Sequence, residues 1–117
     1  MNETALPQKK IQLLHDIWTV FVVPADYPRL LNAQGLTQFN YKKIYIANNL
    51  SKKDFRQVLM HEYSQAFFSD LGIHSPLLEK MHQEKNEKTV DDLVETLYPR
   101  SQPSILKQHQ MKGRERE

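Results

Sequence analysis

Residues 51–68 read SKKDFRQVLMHEYSQAFF and contain neither glycine nor proline. Ser51 and Asp54 have the spacing of a capping box, with Asp in place of the commoner Glu, and such a pair marks the beginning of a helix. Apolar residues lie around most of the circumference of that helix, and Gly72 supplies a stop signal. The sequence therefore predicts a central helix that begins after Ser51 and runs to about Leu71.

Glu62 is the unusual residue of this helix. With successive residues about 100° apart, Glu62 falls in the middle of an apolar arc. The arc consists of Phe55, Val58, Leu59 and Ala66. Burying an ionised carboxylate without a partner costs several kcal/mol, so a buried carboxylate is paired, protonated or bound to a metal. We expect Glu62 to be buried, with His61 and Gln65 as its nearest candidate partners.

The segments before the central helix predict one helix and three strands. Residues 8–18 favour a helix because four of them have helical spacing. These four are Ile11, Leu14, His15 and Trp18. Residues 19–23 are mostly β-branched and predict a strand that Pro24 ends. Residues 35–41 and 43–47 predict two antiparallel strands with a turn near Asn40, and the alternation in 43–47 predicts that the second of them is half-buried.

The segments after the central helix are predicted to be helical as well. Residues 73–85 are ambiguous, and Ser75-Pro76 favours a short helical piece there. A last helix fits Glu87–Leu97, with an apolar face of Val90, Leu93, Val94 and Leu97, and Pro99 and Pro103 predict its end. We therefore expect a single small α+β domain over residues 1–98, with three or more helices packed on a short antiparallel three-stranded sheet. Residues 99–117 are expected to form a polar, flexible tail.

Charge and cysteine content narrow the classes of function. The 117 residues carry a net charge of +2, and residues 107–117 alone hold four basic and two acidic residues, so the rest of the chain is balanced. A nucleic-acid domain usually has a basic face in its folded part, so nucleic-acid binding is not expected. The chain has no cysteine, which excludes disulfides and thiolate ligands. No apolar run approaches 18 residues, which favours a soluble intracellular protein.

The polar cluster of the central helix has two interpretations. His61 and Gln65 are four residues apart, so they project from one helical face and can reach one metal ion, with Glu62 alongside as a general base. Glu87, on the apolar side of the last helix, is the candidate third ligand, and Asp91 is a fallback. The alternative is a buried His–Glu pair that only holds the core together. His74 and His82 are further candidates to replace a missing ligand.

The order of these elements resembles the ImmA/IrrE family of small metallopeptidases, found in phages, integrative elements and their hosts. The resemblance covers about residues 8–98 and depends on three segments. These are Gly35-Leu-Thr37 with Lys43-Ile-Tyr-Ile46, the helix residues 56–67, and residues 87–94. The resemblance implies a zincin-like active helix in which His61 is the first zinc ligand, Glu62 the catalytic base and Glu87 the third protein ligand.

Gln65 departs from the His-Glu-x-x-His pattern of that family, which has a second His at this position. A neutral amide oxygen is a weak zinc ligand beside imidazole, so zinc binding is expected to be weak or absent. Two functions follow from the resemblance. In the first, a cytoplasmic protein of a bacterial host cell with a degenerate site binds a repressor or host regulatory protein. In the second, an active zinc-dependent peptidase cleaves a helix-turn-helix repressor at one site.

Overall fold

The computed structural model describes residues 3–73 and 75–101, and the side chains of these residues as far as Tyr98. They form a four-stranded mixed sheet in the order β1-β2-β4-β3, two α-helices and three short 3-10 turns. The α+β class is confirmed. The expected antiparallel three-stranded sheet and the third helix are wrong for the described residues, because the first predicted helix is a β-hairpin and the last two predicted helical segments are one helix.

The hairpin consists of β1 (Gln8–Gln12) and β2 (Ile17–Val23). Ile11 and Trp18 are cross-strand partners and both are buried, so their spacing of seven residues reflects a hairpin and not two turns of helix. Leu14 and His15 lie exposed in the turn between the strands. The prediction of a helix over residues 8–18 is therefore wrong.

The other two strands are β3 (Gly35–Gln38) and β4 (Lys43–Ala47). They are antiparallel with a 3-10 turn at Phe39–Tyr41 between them, as predicted around Asn40. β4 also pairs with β2, and this pairing is parallel. Tyr45 is fully buried, so the prediction that β4 is half-buried is wrong. A central strand with a parallel neighbour is commonly covered on both faces, and here the N-terminal segment and Tyr27 cover the second face.

The first α-helix, α1 (Lys52–Leu71), has the predicted bounds and caps. The Ser51 hydroxyl accepts a hydrogen bond from the Asp54 amide at 3.1 Å, and Gly72 ends the helix with a left-handed backbone at φ 83°. Glycine has no Cβ atom and adopts a left-handed backbone at the least cost, so Gly72 is well suited to end this helix. α1 packs on the sheet face that carries Val20, Ile44 and Ile46.

The second α-helix, α2 (Pro76–Ser101), is continuous over 26 residues. The predicted start of the last helix at Glu87 and its predicted end before Pro99 are both wrong, and the ambiguous residues 76–85 belong to the same helix. Pro76 lies in the first turn, where no amide donor is needed, and the sequence from 77 to 98 has neither glycine nor proline. The apolar face of Val90, Leu93, Val94 and Leu97 is buried as predicted. Of the predicted tail, residues 99–101 continue the helix and residues 102–117 lie outside the described residues.

Asp70 joins the end of α1 to the hairpin. Its carboxylate accepts hydrogen bonds from the amides of His15 (2.7 Å) and Asp16 (2.9 Å) and lies 3.4 Å from the indole nitrogen of Trp18. The turn between β1 and β2 contains no glycine, and the Asp70 side chain satisfies two of its backbone amides. Within the described ranges, neither α-helix has the length and apolar character that crossing a membrane requires.

Candidate functional site

Glu62 is buried, as predicted, but its partner is neither His61 nor Gln65. Glu62 is only 7% exposed, and the Thr37 hydroxyl on β3 lies 2.9 Å from Glu62 Oε1. The same hydroxyl lies 3.1 Å from the backbone carbonyl oxygen of Glu62. Thr37 has one hydroxyl proton to donate, so these two acceptors share it. The expectation of a local partner on the helix is thus wrong, because the sheet supplies the donor.

Gly35 allows β3 to approach α1 this closely. A Cβ atom at Gly35 would lie 2.5 Å from Val58 Cγ1 and 3.0 Å from Glu62 Cγ, closer than packed carbon atoms tolerate. Gly35 does not have a left-handed backbone, so its role is steric. The strand can therefore place the Thr37 hydroxyl against Glu62 because the glycine two residues earlier has no side chain.

An open cleft lies beside Glu62. It is lined by Gln34, Gly35, Gln57, Val58, His61 and Glu62. In the part of the chain that the structure describes, Glu62 Oε2 has no hydrogen-bond donor, and it is not among the fully buried polar atoms that lack a partner. This oxygen therefore retains access to the cleft. A carboxylate held through one oxygen, with the other open to a cleft, can accept a proton or a hydrogen bond from a bound molecule.

His61 and Gln65 lie together at the exposed side of the helix. Gln65 Nε2 is 3.2 Å from His61 Nε2, and both residues are exposed. With the Gln65 amide nitrogen as donor, the His61 nitrogen accepts through its lone pair. A metal ion bound at His61 Nε2 would need that same lone pair. The one-turn spacing predicted from the sequence is present, but it pairs the two side chains with each other.

Glu87 is exposed and lies in a different groove, between α1 and α2. Residues from both helices line this groove, including Met60, Ser64, Phe67 and Asn86, whereas His61 lines the cleft beside β3. Among the described residues, no three His, Asp or Glu side chains are close enough to hold a metal ion. Glu87 is therefore not gathered with His61 and Glu62.

The fallback ligands have other partners. Asp91 forms an ion pair with Arg56 at 2.6 Å, and the His82 ring lies 5.3 Å from the ring of Phe67. His74 lies outside the described residues. With one imidazole, one amide and a carboxylate held by Thr37, this arrangement does not fit a catalytic zinc site with three protein ligands.

Sequence reasoning missed Thr37 and Gly35 as members of the site. Both precede Glu62 by more than twenty residues, and only the pairing of β3 with β4 places them over the helix. The glycine in a short strand was the available signal, because such a residue commonly marks close approach of another element.

Comparison with models of known protein families, with curated proteins and with solved structures finds no match.

Proposed function

We propose that this chain is a metallopeptidase-like protein of the ImmA/IrrE type, with a degenerate zinc site, that acts by binding another protein. The observation that carries the proposal is the contact between Gln65 and His61 at the position where two zinc ligands would converge. In this proposal the partner is a repressor or a host regulatory protein, and the site of action is the cytoplasm of a bacterial host cell. Zinc has no role in binding.

The edge of the sheet beside the Glu62 cleft is the proposed binding region. In the described residues, β3 pairs with β4 alone. The Ala47 amide donates to the Gln34 carbonyl, and antiparallel pairs alternate, so the backbone groups of Gly35 point away from β4. Gly35 is partly exposed and lines the cleft. An extended segment of a partner can pair with such an edge and place a side chain in the neighbouring cleft.

Metal content of the purified protein tests the proposal. We expect wild type to contain far less than one zinc per chain after zinc exposure and dialysis, and Gln65→His to gain zinc because imidazole replaces the amide. His61→Ala in the Gln65→His background is the control and should lose that zinc. Stoichiometric zinc in wild type that disappears in His61→Ala would contradict a degenerate site.

An active peptidase is the second candidate, and the open oxygen of Glu62 favours it. The Glu62 carboxylate, with one oxygen open to the cleft, lies where a peptidase would need its general base. We expect no cleavage when the protein is incubated with helix-turn-helix repressors encoded near its gene, and we expect a stable complex to form. Cleavage by wild type that Glu62→Gln abolishes would instead establish the peptidase, since this substitution keeps the size of the side chain and removes its basicity.

A further inference from the structure

A second polar cluster lies on the sheet face opposite to α1. The Glu3 carboxylate accepts hydrogen bonds from the Tyr27 and Tyr45 hydroxyls, each at 2.8 Å, and from Lys43 Nζ at 2.9 Å. Arg29 Nε lies 3.2 Å from the same carboxylate. We call the four donors, Tyr27, Arg29, Lys43 and Tyr45, the carboxylate socket. All four come from β4 and from the loop between β2 and β3.

The socket favours a negative charge strongly. Burial alone would raise the pKa of Glu3, but hydrogen bonds from Lys43, Tyr27 and Tyr45 outweigh it and lower that pKa to about 2. Burial, followed by the bond to Glu3, raises the pKa of Tyr45, so its hydroxyl stays protonated and donates. Without Glu3, the socket would hold two cations and two phenol donors with no anion between them.

Tyr27, Lys43 and Tyr45 also have contacts that do not involve Glu3. Tyr45 is fully buried, and its ring stacks on Phe21 at 5.3 Å and on Tyr27 at 5.8 Å. Lys43 Nζ lies 5.6 Å from the centre of the Phe21 ring. The Tyr45 ring lies between two other rings, which keep its hydroxyl in place when the carboxylate leaves. This part of the socket is therefore preorganised to receive a carboxylate.

The occupant comes from a weakly packed segment. Glu3–Ala5 is a single 3-10 turn, and none of its three residues is buried. The Gln8 amide also reaches the carbonyl oxygens of Glu3 and Leu6, so the turn is held by polar groups more than by burial. When Glu3–Ala5 opens, little buried apolar surface is therefore lost, and the main cost is the loss of the Glu3 carboxylate contacts, which an incoming carboxylate would replace.

We propose that the carboxylate socket binds an acidic side chain of a partner peptide, and that Glu3 occupies the socket as an internal competitor. The neighbouring cleft, of about 550 Å³, is lined by Pro24, Asp26, Tyr27, Pro28 and Arg29 and can take the residues that flank the acid. Asp26 in that cleft disfavours a second acid there. The socket lies on the opposite face from Glu62, so the inference does not depend on the peptidase-like site.

Peptide binding to the full chain tests the inference. The probe is an acetylated, amidated Ala-Glu-Thr tripeptide, and the matched control is the same peptide with Gln in place of Glu. Amide chemical shifts report binding at Lys43 and Tyr45 and release of Glu3–Ala5. We expect Glu3→Ala to bind the Glu peptide at least roughly tenfold more tightly than wild type, because the internal competitor is gone. Adding Arg29→Gln to Glu3→Ala should weaken binding, and the Gln peptide should bind neither protein.

Wild type provides the decisive readout. Saturating Glu peptide should shift the Glu3–Ala5 amides of wild type toward values of an unfolded segment while Lys43 and Tyr45 remain folded. Equal affinity for wild type and Glu3→Ala, or Glu3–Ala5 signals that stay in place at saturation, would show that Glu3 is a fixed anchor and overturn the inference. If Glu3→Ala does not fold, Glu3→Gln replaces it with the same expected order of affinities.

Discussion

At the scale of single residues, the sequence predicts where a side chain lies better than what it contacts. Helical periodicity placed Glu62 on the buried side of α1, and the structure confirms that placement. Its partner Thr37 is 25 residues away in sequence, and no local pattern connects the two. The burial of Glu62 can be predicted from the pattern of α1 alone, whereas its hydrogen bond with Thr37 depends on the register of β3 with β4.

Replacing Thr37 tests the hydrogen bond to Glu62. Thr37→Val keeps the branched shape but removes the one donor that the described residues give to the buried Glu62 carboxylate, so we expect a loss of about 1 to 3 kcal/mol in the free energy of unfolding. Thr37→Ser keeps the hydroxyl and should lose less. Denaturant unfolding at neutral pH measures both variants. A Thr37→Val protein at least as stable as Thr37→Ser would mean that the hydroxyl does not stabilise Glu62.

Replacing Gly35 tests the close approach of β3 to α1. Gly35→Ala introduces a Cβ atom 2.5 Å from Val58 Cγ1, and we expect a cost of about 1 to 3 kcal/mol from overpacking. Val58→Ala removes the clashing methyl groups, so Gly35→Ala should cost less in that background. The coupling energy of this double-mutant cycle, from denaturant unfolding, is the measurement. Simple additivity of the two substitutions would contradict the steric role of Gly35.

Glu3 should make the stability of the protein depend on pH in the acid range. Its pKa falls from 4.5, the value expected in the unfolded chain, to about 2 in the folded protein. The folded state therefore holds the proton less tightly. The stabilisation, on the order of 2 kcal/mol, is complete above pH 4.5 and is lost as pH falls toward 2.

Glu3→Gln removes this titration and is the comparison that isolates it. The difference in free energy of unfolding between wild type and Glu3→Gln should be largest near pH 6 and should shrink steadily toward pH 2.5. Urea unfolding at a series of pH values measures it. A difference that stays constant over this range would show that the Glu3 carboxylate is not stabilised by its ionic and phenolic partners.

At the scale of elements, the hairpin of β1 and β2 shows that residues with helical spacing can belong to another structure. Four residues in 8–18 have helical spacing, yet two of them are cross-strand partners and two lie in an exposed turn. A hairpin is usually recognised by glycine or asparagine in its turn, and this turn has neither. The missing turn signal is replaced by Asp70, which comes from α1.

Asp70→Asn should weaken the turn more than the rest of the molecule. One carboxylate oxygen becomes an amide group that cannot accept, so the amides of His15 and Asp16 lose a charged acceptor at a cost of about 1 to 3 kcal/mol. Hydrogen exchange should accelerate at these two amides first. Asp92→Asn, on the exposed side of α2, is the matched control and should change neither stability nor exchange. Equal exchange at His15 in the two variants would contradict this role of Asp70.

At the scale of the whole molecule, the α+β class was predictable and the strand connections were not. Element types for the second half of the hairpin, for β3 and β4, and for α1 followed from local residues. The parallel pairing of β2 with β4 did not, because the direction of a neighbour depends on the path of the nineteen residues between the strands. The same holds for the candidate site. The pattern of α1 predicts that Glu62, His61 and Gln65 lie together, but the contribution of β3 depends on the strand connections.

The contact between Asp70 and the hairpin turn can form only late in the synthesis of the chain. When β1 and β2 leave the ribosome, residue 70 has not yet been made, so the amides of His15 and Asp16 bond only to water. The strand β2, IWTVFVV, then presents seven uncharged residues without its neighbour β4. Segments of this kind associate readily between chains. A nascent chain stalled before α1 emerges should therefore need a chaperone that a completed chain does not.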